Sequence, residues 1–472
     1  MKHFSFTLSG RVGFVTATAL LLNACAPAQD TPSPVSGVDF SHYLAVGDSY
    51  TAGLSAGGLT RTSQEYSFPN LLAQQFAAAS GGGSFPQPLL EPGTGTGYFN
   101  FVDYAPSGLV RSSRVTGQAF RGNRVINPGT CGTPDTTRLL ARAATAGTLP
   151  QNLGIPGLTL AQYETAGLGN EINARPGVAF NPYFERLLPA ADNRTYLQAV
   201  TDAAATATFF TYFQGLDDLM PYVRSGGQCG ANEALPPSIT IMRSNVRKVL
   251  DRLTAKGQPG VIIRLPPLES LPFLRAGQGL VLEARLQASF GDTARIYIQD
   301  PINQGPAVHI TNDDYVLATA LARIGRPTPV VVNGVMLMLP YGRDSRNPIR
   351  DAEVLDKGVE LNKIDGVRKS YNTELDRLAK DVYKLPTLTP APSASTFDTD
   401  VLLFNQVSGN IAVGGVQYSP ELVRGNFFSL DYYSLTPRGN GLLANAIIAA
   451  LNRTYRTQIP AIDVNRLPAT AQ

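Results

Sequence analysis

Phe40-Ser41-His42-Tyr43-Leu44-Ala45-Val46-Gly47-Asp48-Ser49-Tyr50-Thr51-Ala52-Gly53 is the stretch on which the fold of this 472-residue chain turns. The run from Phe40 to Val46 reads as a short buried strand, and Gly47 to Gly53 as the turn of small polar residues that ends it. Ser49 then sits at the carboxyl end of a strand, where open α/β sheets hold their ligands. Taken alone the triplet Gly47-Asp48-Ser49 says little, because Asp and Ser are ordinary turn and helix-capping residues.

Three later segments, in fixed order, change that weighting. Asn152-Leu153-Gly154-Ile155-Pro156-Gly157 comes first. The strand-like Thr206 to Phe213 then runs into Gly215-Leu216-Asp217-Asp218. Last is Phe428-Ser429-Leu430-Asp431-Tyr432-Tyr433-Ser434-Leu435-Thr436-Pro437-Arg438-Gly439, followed by an apolar helical stretch from Leu442 to Leu451. With Tyr66-Ser67-Phe68-Pro69-Asn70-Leu71-Leu72, these blocks resemble the SGNH (GDSL) hydrolases, in particular their bacterial lipoprotein branch, over about Asp39 to Pro460.

The resemblance implies a three-layer α/β/α, flavodoxin-like fold with a mainly parallel sheet, and carboxylic-ester hydrolysis of the lipase or acylhydrolase type. It assigns the nucleophile to Ser49, the orienting acid to Asp431 and an oxyanion-binding backbone N–H to Gly157. It implies no cofactor. Two positions depart from the family. The asparagine that donates to the oxyanion is Asp217 here, and the histidine that serves as general base is Ser434.

Both changes oppose the same transition state. An imidazole accepts a proton near neutral pH, whereas a serine hydroxyl does not. Loss of the base from a serine triad lowers turnover by about a millionfold, although an intact oxyanion hole retains roughly a thousandfold over water. A carboxylate at Asp217 has only acceptor oxygens and repels developing negative charge. Only a protonated Asp217 would donate, which calls for burial or a neighbouring carboxylate such as Asp48 or Asp218.

Three histidines are available as substitutes. His3 falls in a segment expected to be removed. His42 precedes Ser49 by seven positions on one strand, roughly 20 Å away at the wrong end. His309 is the remaining candidate base, and Tyr432 and Tyr433 read as pocket wall. Two readings therefore stay open: a weak or inactive ester hydrolase, or a non-catalytic envelope lipoprotein that binds a glycan or acylated lipid on the same fold.

Lys2, His3 and Arg11 precede an apolar stretch from Val12 to Leu22 that has the build of a secretory signal peptide and is too short to span a bilayer. Leu22-Asn23-Ala24-Cys25 resembles a lipobox, which implies a signal peptide over 1–24, a lipid on Cys25, and residence in a bacterial envelope, at the outer membrane or cell surface. Residues 25–38, with prolines at 27, 32 and 34, read as an extended tether between lipid and domain. Cys131 and Cys229 are a reasonable disulfide in an exported chain. A loop of that length contributes about 4 to 5 kcal/mol in the chain-entropy model. No metal-type Cys/His spacing exists.

Removing residues 1–24 takes away Lys2 and Arg11, leaving 37 basic and 36 acidic residues. That near-neutral balance gives nothing for nucleic acid to bind. The basic stretch Arg243 to Lys256 is the solvated side of a helix whose apolar stripe is Met242, Val246, Val249, Leu250 and Leu253, with Gly257 as C-cap. Strands at 43–46, 209–213, 261–265 and 401–405 alternate with helices near 68–78, 238–256, 361–383 and 440–453, the pattern of a parallel sheet in one domain over 39–460. Residues 461–472 read as a tail.

Two stretches are expected as long insertions. Residues 79–150, rich in Gly, Ser and Pro, should form a decorated excursion above the strand ends. Residues 272–348 hold Asp313 as cap of a helix to Ile324, then Val330-Val331-Val332-Asn333-Gly334-Val335-Met336-Leu337, a hairpin signal. That apolar hairpin reads as packed on the core, or else as a lid or acyl-binding wall.

Overall fold

The computed structural model describes residues 37–80, 82–105, 108–128, 134–230, 232–291, 293–300, 306–383, 394–397 and 409–471. The segments expected as signal peptide and, for the most part, tether, with Cys25, Cys131 and the strand expected at 401–405, lie outside the described residues.

Five strands form the central sheet: β1 (Tyr43–Gly47), β2 (Asn152–Gly154), β3 (Phe209–Phe213), β4 (Gly260–Ile263) and β5 (Ala394–Phe397). Their spatial order is β5-β4-β3-β1-β2, and every pairing is parallel. All residues of β1, β3 and β4 are buried. That is the signature of a parallel sheet covered on both faces, which explains why these segments read as continuous apolar runs rather than alternating ones.

Successive strand residues point to opposite faces, and the contacts identify what covers each. Tyr43 and Phe209 meet Phe76 of helix α2 (Phe68–Ser80), with ring centroids 5.2 and 5.6 Å apart. Tyr212, on the other face, has its hydroxyl 3.2 Å from that of Tyr371 on helix α5 (Asn362–Arg377). Helix α6 (Pro437–Tyr455) packs beside α2, and helix α4 (Ile239–Leu253) packs beside α5. The architecture is thus three-layer α/β/α.

The apolar stripe expected on α4 is buried, and α5 buries a similar one. Met242, Val246, Val249, Leu250 and Leu253 face the core from α4, and Ile364, Tyr371 and Leu375 do so from α5. α4 ends at the C-cap Thr254, short of Gly257. The carboxyl end of the chain is no loose tail. Val464 and Ala471 are buried, Arg438 Nε donates to the Leu467 carbonyl at 3.0 Å, and Thr60 Oγ1 donates to the Ala471 carbonyl at 3.3 Å.

Between the strands the chain builds hairpins. Gly97–Tyr104 pairs with Val110–Thr116, and Phe120–Pro128 with Pro134–Leu140. Asp313 does not start a helix. Asp314–Val316 is a strand antiparallel to Val354–Asp356, and only Ala318–Leu321 is helical. Pairing with a segment some 40 residues downstream overrides the local capping preference, and Asp313 instead accepts from Lys357 N through its carbonyl at 2.7 Å.

The Asn333-Gly334 hairpin forms as read, with Pro327–Val332 paired to Val335–Pro340. Asn333 and Gly334 both have positive φ, 50° and 80°, the type I′ geometry that matches strand twist. It is not packed on the core: Val331, Val335, Met336 and Met338 are all exposed. Cys229 is disulfide-bonded.

Candidate functional site

Ser49 opens helix α1 (Ser49–Ala52) directly after β1, with Asp48 as N-cap and Gly53 in the left-handed conformation as C-cap. The sharp strand-to-helix step is possible because Gly47 lacks a Cβ, which would meet the Phe213 carbonyl oxygen at 2.0 Å. Asp48 does not face the cleft. Its Oδ2 accepts from the backbone N–H groups of Gly215, Leu216 and Asp217 at 3.0, 3.1 and 3.3 Å, at the start of helix α3 (Leu216–Arg224). A carboxylate suits the positive end of a helix. Burial nevertheless pushes the Asp48 carboxyl well above the usual range, and the Asp217 charge adds to that rise.

Asp217 occupies the centre of the site. Its Oδ2 accepts from Ser49 Oγ at 2.5 Å, Gly157 N at 2.8 Å and Ser49 N at 3.1 Å. Its Oδ1 accepts from the Tyr433 hydroxyl at 2.9 Å. Four donors converge on one carboxylate, so Asp217 acts as acceptor throughout. The Gly157 N–H, expected to bind an oxyanion, already holds a protein oxygen, and so does the Ser49 N–H beside it. Gly157 reaches this position with φ of 72°, where a side chain would be strained, and its N–H also lies 3.4 Å from Ser49 Oγ.

The last block stitches the far wall. Asp431 Oδ1 accepts from Ser434 N at 2.8 Å, Ser429 Oγ at 3.0 Å and Tyr433 N at 3.1 Å. Its Oδ2 accepts from Ser434 Oγ at 2.6 Å and Gly57 N at 2.7 Å. Ser434 is fully buried, with its hydroxyl also 2.7 Å from Ser429 Oγ. It therefore takes part in a closed network around Asp431 and is no proton acceptor for Ser49. Thr436 caps α6 through Gly439 N at 3.0 Å, which fixes where this loop ends. Tyr50 completes the junction by donating to the Tyr433 carbonyl at 2.5 Å.

Ser49, Gly157, Asp217 and Asp431 line one cleft of about 640 Å³. Leu54, Phe273, Leu430 and Tyr432 contribute apolar wall, and Arg114 and Arg224 contribute charge. Arg114 lies over the Phe99 ring at 5.0 Å and Arg224 over the Tyr433 ring at 5.2 Å. Burial pulls the Arg114 guanidinium below its ordinary range.

The stretch 79–150 reaches the cleft through Phe99, Ser112 and Arg114, and 272–348 through Phe273, Ala318 and Thr319. The Asn333-Gly334 hairpin does not line it. Sequence reading missed Arg114, Arg224 and Phe273, since nothing in their neighbourhoods sets them apart from other loop and helix residues. Tyr433, expected as pocket wall, is in addition a hydrogen-bond donor to Asp217.

Neither histidine among the described residues joins the group. His309 pairs its Nε2 with Glu283 Oε2 at 2.7 Å, beside Tyr297, and lines no part of the cleft. His42 is exposed before β1, its Nδ1 3.1 Å from Ser41 Oγ. Asp218, adjacent in sequence to Asp217, turns away: it accepts from Leu160 N at 2.8 Å and Gln214 Nε2 at 3.3 Å, and burial pushes its carboxyl up to about 8. Among the described residues no group of His, Cys, Asp and Glu side chains is placed to hold a metal, and no helix is long and apolar enough to cross a membrane.

Comparison with known proteins adds no relative: no protein-family model, curated protein or solved structure matches the chain.

Proposed function

We propose that this chain is an SGNH-type, ester-hydrolase-like lipoprotein of the bacterial envelope whose cleft binds an acylated glycan or lipid without efficient turnover. The observation that carries the reading is the position of Asp217 Oδ2, held by Ser49 Oγ, Ser49 N and Gly157 N together. Acyl transfer needs those two N–H groups free for the oxygen of the attacked carbonyl. It also needs a base at Ser49 Oγ.

The short Ser49–Asp217 contact invites the idea that Asp217 itself is the base. One oxygen cannot serve both ends of the reaction. While Oδ2 takes the serine proton it fills the oxyanion position, and if it swings out to admit a carbonyl it leaves Ser49 Oγ. The mixed lining suits a ligand with an apolar chain and a polar head: Leu54, Phe273 and Tyr432 for the one, Arg114 and Arg224 for the other. Attachment through a lipid on Cys25 belongs to the same proposal.

Hydrolysis of short-chain and acetylated-sugar chromogenic esters by the chain beginning at Gly37, with Ser49→Ala as control, tests it. Equal, near-background rates are expected. Turnover that disappears in the Ser49→Ala control overturns the non-catalytic reading and returns the chain to the ester hydrolases.

A further inference from the structure

The hairpin Pro327–Val332/Val335–Pro340 stands apart from the cleft and, among the described residues, pairs with no other strand. From Pro327 to Gly342 the sequence has no charged residue. Partners across an antiparallel ribbon share a face. Pro329, Val331, Met336 and Met338 therefore lie on one side, and Val330, Val332, Val335 and Leu337 on the other. A ribbon with one face in water normally carries polar residues on that face. Here both faces are apolar.

Exposure follows the face: Met336 is 70 % exposed, Val331 65 % and Met338 62 %, whereas Val330, Val332 and Leu337 on the other side are half-buried and Leu339 is buried; Val335, beside the turn, is 58 % exposed. Charge is confined to the base. Arg323 and Arg326 precede the ribbon and Arg343, Arg346 and Arg350 follow it; Arg346 pairs with Asp344 and Arg323 and Arg350 share Glu353, so the collar keeps a net positive charge, with Arg326 and Arg343 outside the ion pairs of the described residues. The Arg343 guanidinium lies over the exposed Phe290 ring at 5.2 Å, which extends the apolar surface under the arginine collar.

We propose that this hairpin inserts its tip into the headgroup–acyl boundary of an anionic lipid bilayer, with the flanking arginines meeting the lipid phosphates. Apolar tip and cationic base reproduce, in order, the polarity met on leaving hydrocarbon for headgroups. The three outermost pairs, from Val330/Leu337 to Val332/Val335, reach about 7–10 Å at a rise of ~3.3 Å per residue. That length matches the roughly 5–10 Å to which interfacial segments bury their apolar side. A partner strand added at either edge would leave both apolar faces in water, so the ribbon does not suit β-augmentation. The inference is independent of whether the cleft turns over esters.

The chain has no tryptophan, so Met336→Trp in the full chain gives a single reporter at an exposed position, and Val331→Trp gives a second should the first perturb folding. The probes are vesicles of phosphatidylglycerol, compared with phosphatidylcholine, and acyl chains carrying bromine. With phosphatidylglycerol, the indole emission should shift to the blue, iodide quenching should fall at least about tenfold, and brominated acyl chains should quench. Met338→Asp added to the reporter should reverse all three. An indole still open to iodide on vesicle-bound protein overturns the proposal. So does equal insertion into both lipids, which removes the role of the arginines. Protection that rises with protein concentration without vesicles identifies a second copy as the occupant and likewise overturns it.

Discussion

Asp217→Asn combined with Ser434→His is the most demanding perturbation of this site. The asparagine amide cannot take the place of the present carboxylate unchanged. If its Nδ2 stood where Oδ2 now accepts from Ser49 N, Ser49 Oγ and Gly157 N, donors would face donors. The amide must swing away from the hole, leaving two N–H groups open to a substrate carbonyl and its own Nδ2 able to join them. An oxyanion donor contributes about a hundred- to a thousandfold in rate. The histidine would supply the missing base with Asp431 already beside it, since Ser434 Oγ and N lie 2.6 and 2.8 Å from the Asp431 oxygens. That position is worth up to about a millionfold when the geometry is ideal. Imperfect placement in a fully buried position leaves an expected gain of at least about a thousandfold in Ser49-dependent ester turnover.

The same variant should be less stable. Overfilling the Ser434 position costs about 1–3 kcal/mol, and loosened N–H groups at the cleft floor add roughly another 1–2 kcal/mol. Denaturant unfolding at 20 °C or so, followed by circular dichroism, checks that the protein remains folded. Chromogenic ester hydrolysis with and without Ser49→Ala gives the rate. A double variant that unfolds cooperatively yet shows no more Ser49-dependent turnover than the wild type would refute the assignment of Gly157 and Asp217 to an oxyanion pocket.

Two further expectations concern the network around the cleft. Tyr433→Phe removes the donor to Asp217 Oδ1 while both groups stay buried; leaving that acceptor unpaired should lower unfolding free energy by about 1–3 kcal/mol, read from the denaturant midpoint, and no change would mean that water replaces the hydroxyl. Asp218, with its carboxyl pushed up to about 8 by burial, keeps a proton in the folded chain that the unfolded chain releases above about pH 4. Its contribution to stability is thus complete below pH ~4 and lost as pH rises towards ~8, at up to ~1.4 kcal/mol per unit. Asp48 acts in the same direction. Asp218→Asn should flatten, without abolishing, the decline of stability between pH 5 and 8 or so; an unaltered slope in that variant would place the titrating group elsewhere.

What local sequence determines here is the set of elements whose signal is carried by near neighbours. β1, β3 and β4 are readable as short apolar runs because a sheet covered on both faces needs them, and the stripes of α4 and α5 because helical spacing puts them on one side. The Asn333-Gly334 turn is readable because few residues accept its dihedrals. Three-residue β2 is too short to show a period, and Asp314–Val316 becomes a strand only through its partner at Val354–Asp356. The burial of the segment after Pro460 rests on contacts with Thr60 and Arg438 that no local pattern encodes.

The site divides along the same line. Ser49, Gly157, Asp217, Asp431 and Ser434 are identifiable from ordered blocks, and that a serine hydroxyl at position 434 cannot act as a base near neutral pH follows from residue chemistry alone. Tertiary structure decides where the Asp217 carboxylate goes. Its partners come from positions 60, 168 and 216 residues distant, brought together because β1, β2 and β3 end side by side and the last loop folds over them. Residue type says that a carboxylate accepts hydrogen bonds, but only the packing of those strand ends makes Ser49 N and Gly157 N the groups from which it accepts.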